Sequence, residues 1–252
     1  MRVLVTPDYR TLSRQAAEII ADAVRFEPRL TLGLPTGSTP LGMYEELVRK
    51  HSDENLDFSR VKTFNLDEYI GLAPGHPSSY HTYMHLHFFD HVRIPIKHIH
   101  IPDGAPGIDT DRESIRYEQA IEQAGGIDLL VVGIGSNGHI AFNEPGSSFA
   151  SRTRMVDLAR ETRANAGRYF ASEDEVPRRA ITVGIGTILE SRRILLLASG
   201  SGKSGAVARA LQGPVSEDMP ASALRGHFDV TAILDEAATP LPPIAGVIGR
   251  AW

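Results

Sequence analysis

Cysteine is absent from this sequence. Its absence excludes disulfide bonds, thiolate metal sites and a cysteine nucleophile. Long hydrophobic runs are also absent: no stretch is long enough to span a membrane, and the apolar run that follows Met1 is too short for a signal peptide. We therefore expect a cytoplasmic protein with no membrane partner.

Neither sign of charge is in large excess. The 26 Lys and Arg residues face 31 Asp and Glu residues, which gives a net charge of −5. This balance argues against a nucleic-acid partner, although it is compatible with a local basic pocket. No linker rich in Pro, Gly or Ser, and no charged linker, divides the 252 residues, so we expect a single domain over residues 1–252.

Short apolar runs, which indicate buried strands, alternate along the chain with amphipathic stretches, which indicate helices. The predicted strands cover residues 3–5, 30–33, 61–64, 127–132, 180–183, 194–198 and 229–234, with a weaker one at 98–101. The predicted helices cover residues 11–26, 40–50, 111–124 and 203–211, and Thr39 is expected to cap the second of them. This alternation predicts an α/β fold in which a mostly parallel sheet has helices on both faces. We expect residues 240–252 to be irregular.

The stretch IDLLVVGIGSNGHIAFNE, residues 127–144, holds the strongest functional signal. It begins as a strand of the kind that is buried on both faces of a parallel sheet. Gly133 and Gly135 then interrupt the apolar pattern, and glycines just past a strand let the backbone approach a ligand. A polar cluster follows at once: Ser136, Asn137, His139, Asn143 and Glu144. Because parallel sheets place their sites at the carboxyl ends of strands, we expect His139 and Glu144 to take part in chemistry.

Two loops have the composition of anion-binding turns. The first consists of Thr36, Gly37, Ser38 and Thr39. It lies between a predicted strand and a predicted helix, so its backbone N–H groups could hold a phosphate. An ordinary strand-to-helix turn explains it equally well, and the lysine of a Walker loop is missing, which argues against ATP. The second loop, Ser-Gly-Ser-Gly-Lys203 at a later helix start, resembles a phosphate loop but also suits a solvated turn.

Two further groups of titratable residues carry weaker signals. Asp67 and Glu68 follow the strand predicted at residues 61–64, where one of them could serve as a general base. Such a pair is more often a helix cap or part of a solvated turn. His81 and His85 lie one helical turn apart, but the H-E-x-x-H pattern is absent and no carboxylate partner is obvious. We interpret these histidines as structural or surface groups and expect no metal site.

The polar segment 147–170 contains five arginines, which is typical of a mobile lid or of a solvated helix. Within it, Arg168 could contact a phosphate in a bidentate manner. The candidate loops all follow predicted strands and would therefore share one rim of the sheet. Two anion-suited loops beside acid–base groups predict an enzyme that acts on a small phosphorylated metabolite.

The segments that carry these signals are similar to those of one known family. They are LGLPTGSTP, FNLDEYIGL, HPSSYH, GIGSNGHIAFNEPGSS and SRTR, followed by the lysine-bearing helix start near residue 203. Together they resemble the glucosamine-6-phosphate deaminase (isomerase) family over nearly the whole chain. The resemblance implies a Rossmann-like three-layer α/β sandwich that converts glucosamine 6-phosphate and water into fructose 6-phosphate and ammonia, without a metal or cofactor. The implied reaction joins an aldose–ketose isomerisation to hydrolytic loss of the amine, and the resemblance leaves homo-oligomerisation open.

The resemblance also implies a role for each site residue. Asp67 is expected to move a proton from carbon 2 of the sugar to carbon 1, after His139 has assisted ring opening. Asn137 and Glu144 are expected to hold and polarise His139, although many relatives carry Asp where this chain has Asn137. The implied phosphate-binding residues are Thr36, Gly37, Ser38, Thr39, Arg168 and Lys203. Residues 158–181 match a mobile lid.

Three alternatives to this function stay open from the sequence, and one of them is an isomerase or deaminase that acts on another amino- or keto-sugar phosphate. A 6-phosphogluconolactonase has a related fold and a similar phosphate loop, and it would hydrolyse a sugar-phosphate lactone. The FNEP and NLDEY segments favour the deaminase over this hydrolase. A non-catalytic sugar-phosphate sensor would bind the same ligand without turnover, and the retention of Asp67, His139 and Glu144 argues against it.

Overall fold

A computed structural model describes residues 1–240 and the backbone of residues 247–250. Within these residues the chain forms eleven strands: β1 (Arg2–Thr6), β2 (Thr31–Leu34), β3 (Lys62–Asn65), β4 (Asp67–Tyr69), β5 (Ile99–His100), β6 (Leu129–Gly133), β7 (Arg154–Asp157), β8 (Arg179–Thr182), β9 (Ile194–Ala198), β10 (Val230–Asp235) and β11 (Val247–Arg250). Seven α-helices accompany them: α1 (Tyr9–Phe26), α2 (Leu41–Glu54), α3 (Tyr80–His87), α4 (Thr110–Gln123), α5 (Arg160–Ala166), α6 (Ile185–Leu189) and α7 (Ser204–Gln212). None of the helices in the described part of the chain is long and apolar enough to cross a membrane.

Eight of the strands form one sheet in the order β11-β1-β10-β9-β6-β2-β3-β5, and every adjacent pair is parallel. Parallel neighbours need crossover connections, which explains why helices alternate with strands along the chain. The remaining three strands form a small sheet in the order β4-β8-β7, with antiparallel pairs.

Both faces of the main sheet are covered by helices. On one face, residues such as Val131 and Leu197 join a core with α1, α2 and α3. On the other face, their sequence neighbours Leu130 and Leu196 join a core with α4, α6 and α7. Successive side chains of a strand point to opposite faces, so a strand that is apolar throughout must be buried on both. The predicted Rossmann-like three-layer sandwich with a mostly parallel sheet is confirmed.

Two predictions at the ends of elements are wrong. Thr39 does not cap α2, because Pro40 occupies the N-cap position in the right-handed helical conformation and no side chain caps the helix. The tail expected to be irregular contains β11, which pairs with β1 at the edge of the main sheet. Its apolar stretch is too short for periodicity to indicate a strand. The rest of that prediction falls on residues 241–246 and 251–252, which lie outside the described residues.

The small antiparallel sheet was not predicted, and it includes the last residues of the segment 158–181 that matches a lid. Residues 158–181 begin before α5 and end within β8, where Ala180 and Ile181 are fully buried. The end of this segment is therefore part of a sheet, and only the residues that precede β8 lie outside it.

Candidate active site

The predicted site residues follow strands that lie side by side in the main sheet. β9, β6, β2 and β3 are consecutive in the sheet order and mutually parallel. The loops at their carboxyl ends therefore meet at one rim. This rim carries the candidate phosphate loop (residues 36–39) after β2, Asp67 after β3, residues 135–144 after β6 and Lys203 after β9.

Asp67 occupies a buried position at the start of β4, immediately after β3. It lies opposite Thr182 in the pairing of β4 with β8, and the backbone N–H of Val183 donates to the carbonyl of Leu66 at 2.7 Å. Asp67 is only 6% exposed. Burial, and secondarily the charge of Glu68, raise the pKa of Asp67 to about 8. A carboxyl group with this pKa is a stronger base than an ordinary aspartate once it is ionised.

The neighbouring Glu68 has a different environment. Its carboxylate accepts hydrogen bonds from the backbone N–H groups of Tyr69 at 2.8 Å, Tyr80 at 2.9 Å and His81 at 2.9 Å. Burial raises the pKa of Glu68 to about 7, although these hydrogen bonds act in the opposite direction. Glu68 therefore holds the start of α3 against β4, and Asp67 is the candidate base of the pair.

His139 lies in the loop after β6, and its ring packs directly on Gly135. A Cβ atom at Gly135 would come within 2.3–2.5 Å of three ring atoms of His139, so only glycine fits there. The Nδ1 atom of His139 is buried and lies 3.5 Å from Oε2 of Glu144. This separation is longer than a normal hydrogen bond, but it suits an ion pair when the imidazole is protonated.

Asn137 and Glu144 form a hydrogen-bonded support beside that ring. The Nδ2 atom of Asn137 donates to Oε2 of Glu144 at 2.8 Å, and its Oδ1 atom accepts from the backbone N–H of His139 at 3.1 Å. On the other side, the hydroxyl of Thr162 donates to Oε1 of Glu144. Burial alone would raise the pKa of Glu144, but its contacts with these three neighbours lower it to about 2. Glu144 is therefore negatively charged at neutral pH, beside a group that can become positive.

One cation contacts the phosphate loop directly, and a second follows β9 on the same rim. Gly37 has a φ of +98°, a conformation that favours glycine, and the hydroxyl of Tyr83 on α3 donates to its carbonyl at 2.7 Å. Arg168 donates to Oγ of Ser38 at 3.4 Å. Burial, and then the charge of Arg168, lower the pKa of Lys203. A loop with hydroxyl groups and a glycine at positive φ, contacted by an arginine and on the same rim as a lysine, is suited to a phosphate group.

Two connections join the parts of the rim. The segment of residues 160–169, which begins with α5, contacts the loop after β6 through Thr162 and the phosphate loop through Arg168. In the small sheet, Thr182 lies opposite Asp67, and its Oγ1 atom accepts from the backbone N–H of Phe142 at 3.1 Å. The candidate base and the loop of His139 are therefore attached to the same strand, β8.

Sequence reasoning misses three residues that support the site: Tyr83, Thr162 and Thr182. Each acts through a hydroxyl on a partner that is 46, 18 or 40 residues away along the chain, respectively. No local pattern marks contacts of this range. The one available signal concerns Thr162, which lies in the polar segment that flanks the site.

The two histidines considered for a metal lie on α3 and contact each other. His81 and His85 stack with ring centroids 4.6 Å apart, and Nδ1 of His85 lies 2.7 Å from Oδ1 of Asp90. Asp90 is a carboxylate partner that the sequence alone did not make apparent. In the part of the chain that the structure describes, no group of three or more His, Asp or Glu side chains is arranged to hold a metal ion.

The sequence matches known proteins over most of its length. Residues 9–232 match the family model described as glucosamine-6-phosphate isomerases/6-phosphogluconolactonase. Glucosamine-6-phosphate deaminase 1 of Bacillus subtilis (strain 168) is 50% identical over 244 residues, which cover 96% of this chain and 100% of that protein. The glucosamine-6-phosphate deaminase of Thermoanaerobacter sp. (strain X514) is 47% identical over 243 residues, which cover 96% of each protein.

Solved structures agree with these sequence matches. A structure described as a monomeric glucosamine-6-phosphate deaminase has a TM-score of 0.92 and 49% identity, and the match covers 94% of this chain and 98% of that chain. A 6-phosphogluconolactonase from Leishmania guyanensis has a TM-score of 0.74 at 22% identity, with 94% and 97% coverage, and at that identity the likeness concerns the fold alone. The family-model match and the full-length relatives together show that this chain belongs to the family of glucosamine-6-phosphate isomerases and 6-phosphogluconolactonases.

Proposed function

We propose that the protein is a glucosamine-6-phosphate deaminase, which converts glucosamine 6-phosphate and water into fructose 6-phosphate and ammonia. The observation that carries this proposal is a buried, basic Asp67 on the same rim as the His139–Glu144 pair and the cationic phosphate loop. It is supported by full-length relatives of that name at 47–50% identity.

Ring opening is the first step of the proposed reaction. The proton of the anomeric hydroxyl leaves and the ring oxygen gains one, so a group that can both accept and donate a proton near neutral pH is required. His139 is the group proposed for this transfer. The positive charge that it carries during the transfer faces Oε2 of Glu144, which is ionised because its pKa is about 2.

Proton transfer between carbons 2 and 1 follows. Asp67 takes the proton from carbon 2 of the open aldose while a proton of the substrate's ammonium group passes to the carbonyl oxygen on carbon 1, which gives an enolamine. Asp67 then returns its proton to carbon 1, which gives a protonated imine at carbon 2 and a hydroxyl group on carbon 1. Water then adds to the imine carbon and the amine leaves as ammonia. An Asp67 with a pKa of about 8 is a strong base when ionised, and a protonated amine on carbon 2 of the substrate would favour its ionised form. The reaction is thus an isomerisation completed by hydrolysis of a carbon–nitrogen bond.

The phosphate is proposed to bind among Thr36, Gly37, Ser38, Thr39, Arg168 and Lys203. Binding energy from this remote group fixes the sugar over Asp67 without being part of the reacting bonds. Arg168 and Lys203 supply the opposite charge, and Gly37 leaves the loop backbone open to the ligand.

Asn137 is compatible with this mechanism although many relatives carry Asp there. Its side-chain amide makes two hydrogen bonds at once: the NH2 group donates to Glu144, and the oxygen accepts from the backbone N–H of His139. We propose that Glu144 supplies the negative charge beside His139, while Asn137 sets the position of that carboxylate. An amide can fill the second role without a charge.

The remaining features of the proposal concern the whole chain. Residues 1–252 are proposed to act as one domain in the cytoplasm, on a small sugar phosphate, with no nucleic-acid or membrane partner. The part of residues 158–181 that precedes β8 is proposed to serve as a lid. A similar solved structure is described as monomeric, and the molar mass of this chain in solution tests whether it forms a homo-oligomer.

A coupled ammonia assay on wild type and Asp67→Asn tests the proposed function. Loss of a general base lowers turnover by roughly 10²–10⁴-fold, so we expect ammonia release by wild type and a drop of that size in the variant. The variant keeps the size and polarity of the side chain, so binding of the sugar phosphate should persist.

Three outcomes would contradict the proposal. Equal ammonia release by both proteins would remove Asp67 as the base. Hydrolysis of 6-phosphogluconolactone without ammonia release from glucosamine 6-phosphate would indicate the lactonase. Tight binding of the sugar phosphate by wild type without turnover would indicate a sensor.

A further inference from the structure

The carboxylate of Glu144 is held from two sides. Its Oε2 atom accepts from Asn137 at 2.8 Å and faces Nδ1 of His139 at 3.5 Å. Its Oε1 atom accepts from the hydroxyl of Thr162. Asn137 and His139 belong to the same loop as Glu144, whereas Thr162 comes from α5. The orientation of Glu144 therefore depends in part on an element outside its own loop.

Thr162 is buried, with 8% of its surface exposed, in the first turn of α5. The residue before it, Glu161, accepts from the hydroxyl of Ser136 at 2.7 Å, so two consecutive side chains of α5 contact the loop after β6. Further along the same segment, Arg168 donates to Ser38 of the phosphate loop. One short segment thus contacts both the loop that carries His139 and the phosphate loop.

We propose that Thr162 is a positioning residue for ring opening, whose hydroxyl fixes the carboxylate of Glu144 so that Oε2 stays against His139. Because Thr162 and Arg168 lie on one segment, an Arg168 that engages the substrate phosphate holds Thr162 in place at the same time. This role rests on the proposed deaminase function and adds to it a link between phosphate binding and ring opening.

The physical argument depends on how the carboxylate is oriented. The separation of 3.5 Å between Nδ1 and Oε2 is too long for a fixed hydrogen bond, so the His139–Glu144 contact does not by itself define the orientation of either group. Two donors, one on each carboxylate oxygen, fix the plane of the carboxylate. A carboxylate already in place stabilises a positive imidazole without reorganisation during proton transfer.

The test compares Thr162→Val, which keeps the shape of the side chain and removes the hydroxyl, with Thr162→Ser, which keeps the hydroxyl. A hydrogen bond to a charged group is strong enough that its loss should lower kcat of the valine variant by about tenfold or more. KM for glucosamine 6-phosphate should change little, because the phosphate-binding residues are intact. The serine variant should recover most of the wild-type kcat. Thermal unfolding of each variant shows whether it is folded.

Two readouts separate positioning from a general loss of structure. Without the Thr162 hydroxyl, the pKa of Glu144 should move from about 2 toward its ordinary value of 4.5, and an NMR titration of the Glu144 carboxyl measures this shift directly. If ring opening becomes the slow step, the isotope effect seen with deuterium at carbon 2 should fall below its wild-type value.

The matched control is Ser78→Ala, which removes a different hydrogen bond to the same segment, from the Ser78 hydroxyl to the carbonyl of Tyr169 at 2.7 Å. It does not touch Glu144, so the titration of Glu144 and the isotope effect should stay as in wild type. A folded Thr162→Val protein with a wild-type titration of Glu144 and a wild-type isotope effect would overturn the proposal, as would an equal change in Ser78→Ala. Absence of ammonia release by wild type would instead overturn the proposed function.

Discussion

At the scale of the residue, Gly135 lies in the functional loop where the sequence predicts a close approach, but the group that approaches it is not the expected one. Glycines just past a strand allow another group to approach the backbone closely, and the sequence predicts that this group is a ligand. In the structure the group that approaches Gly135 is the ring of His139, a residue of the same loop. The glycine therefore sets the position of the proposed ring-opening histidine.

We expect Gly135→Ala to lower kcat strongly while the protein stays folded. The new methyl group would lie 2.3–2.5 Å from three atoms of the His139 ring, a distance at which the ring must move. A displacement of about 1 Å at a reacting group can cost about a hundredfold in rate. Steady-state turnover of glucosamine 6-phosphate and a thermal unfolding curve check this expectation.

Gly133→Ala is the matched control, because a Cβ atom at Gly133 meets nothing within 4 Å. Gly133 ends β6 two residues earlier on the same strand-to-loop connection. Its substitution should leave turnover near the wild-type value. Similar losses in both variants would mean that the connection as a whole, rather than the ring of His139, is sensitive to added volume.

At the scale of the element, the long buried strands could be predicted and the small sheet could not. β9 and the first four residues of β6 are apolar and buried on both faces, and β10 differs only by Thr231 and Asp235, so these strands give a strong local signal. β4 and β7 have three and four residues, and β7 alternates between half-buried and exposed positions. Such short, polar strands become strands through pairing with β8, which is a non-local cause.

The same distinction applies to the candidate site. The loops after the strands could be predicted, because a parallel sheet brings its carboxyl ends together. The sequence could not show which of the two carboxylates, Asp67 or Glu68, binds a helix start and which stays available as a base. Glu68 binds the start of α3, twelve residues away along the chain, and Asp67 does not. The support of Glu144 by Thr162 also depends on how α5 packs, which no periodicity encodes.

The small sheet leads to a prediction for Thr182. Its Oγ1 atom accepts from the backbone N–H of Phe142, and Thr182→Val would leave that buried N–H without its partner. The loss should lower the free energy of unfolding by about 1–3 kcal/mol. We expect kcat to fall as well, because β8 joins Asp67 to the loop of His139. Urea denaturation and the ammonia assay measure the two effects.

Thr63→Val supplies the control for that experiment. Thr63 is fully buried in β3, and in the described part of the chain its hydroxyl has no hydrogen-bond partner. Removing a buried hydroxyl that makes no bond should be neutral or stabilising. A similar loss of stability in both variants would show that any buried threonine is needed for its packing, and that the Thr182–Phe142 bond has no special weight.

At the scale of the whole molecule, the rim concentrates groups that do not favour folding. Asp67 and Glu68 are adjacent and buried, and burial raises the pKa of Asp67 to about 8 and that of Glu68 to about 7. Lys203 is half-buried near Arg168, and its pKa is lowered. The apolar layers on both faces of the main sheet must offset these unfavourable electrostatic energies. A site with these features is expected to trade stability for activity.

We therefore expect Asp67→Asn to be more stable than wild type, by an amount that depends on pH. The pKa of Asp67 rises from 3.8 to about 8 on folding, so its contribution to stability is fully present below pH 3.8 and is lost as pH rises through about 8. Asparagine cannot ionise and does not suffer that loss. The stability gain of the variant should grow from pH 5 to pH 8, level off above, and reach at least about 1 kcal/mol. Urea denaturation across this pH range measures it, with the exposed Asp157→Asn as a control that should show no such growth. A gain that is constant with pH, or a variant less stable than wild type at pH 8, would mean that the Asp67 carboxyl is not held in the desolvated state on which its proposed basicity depends.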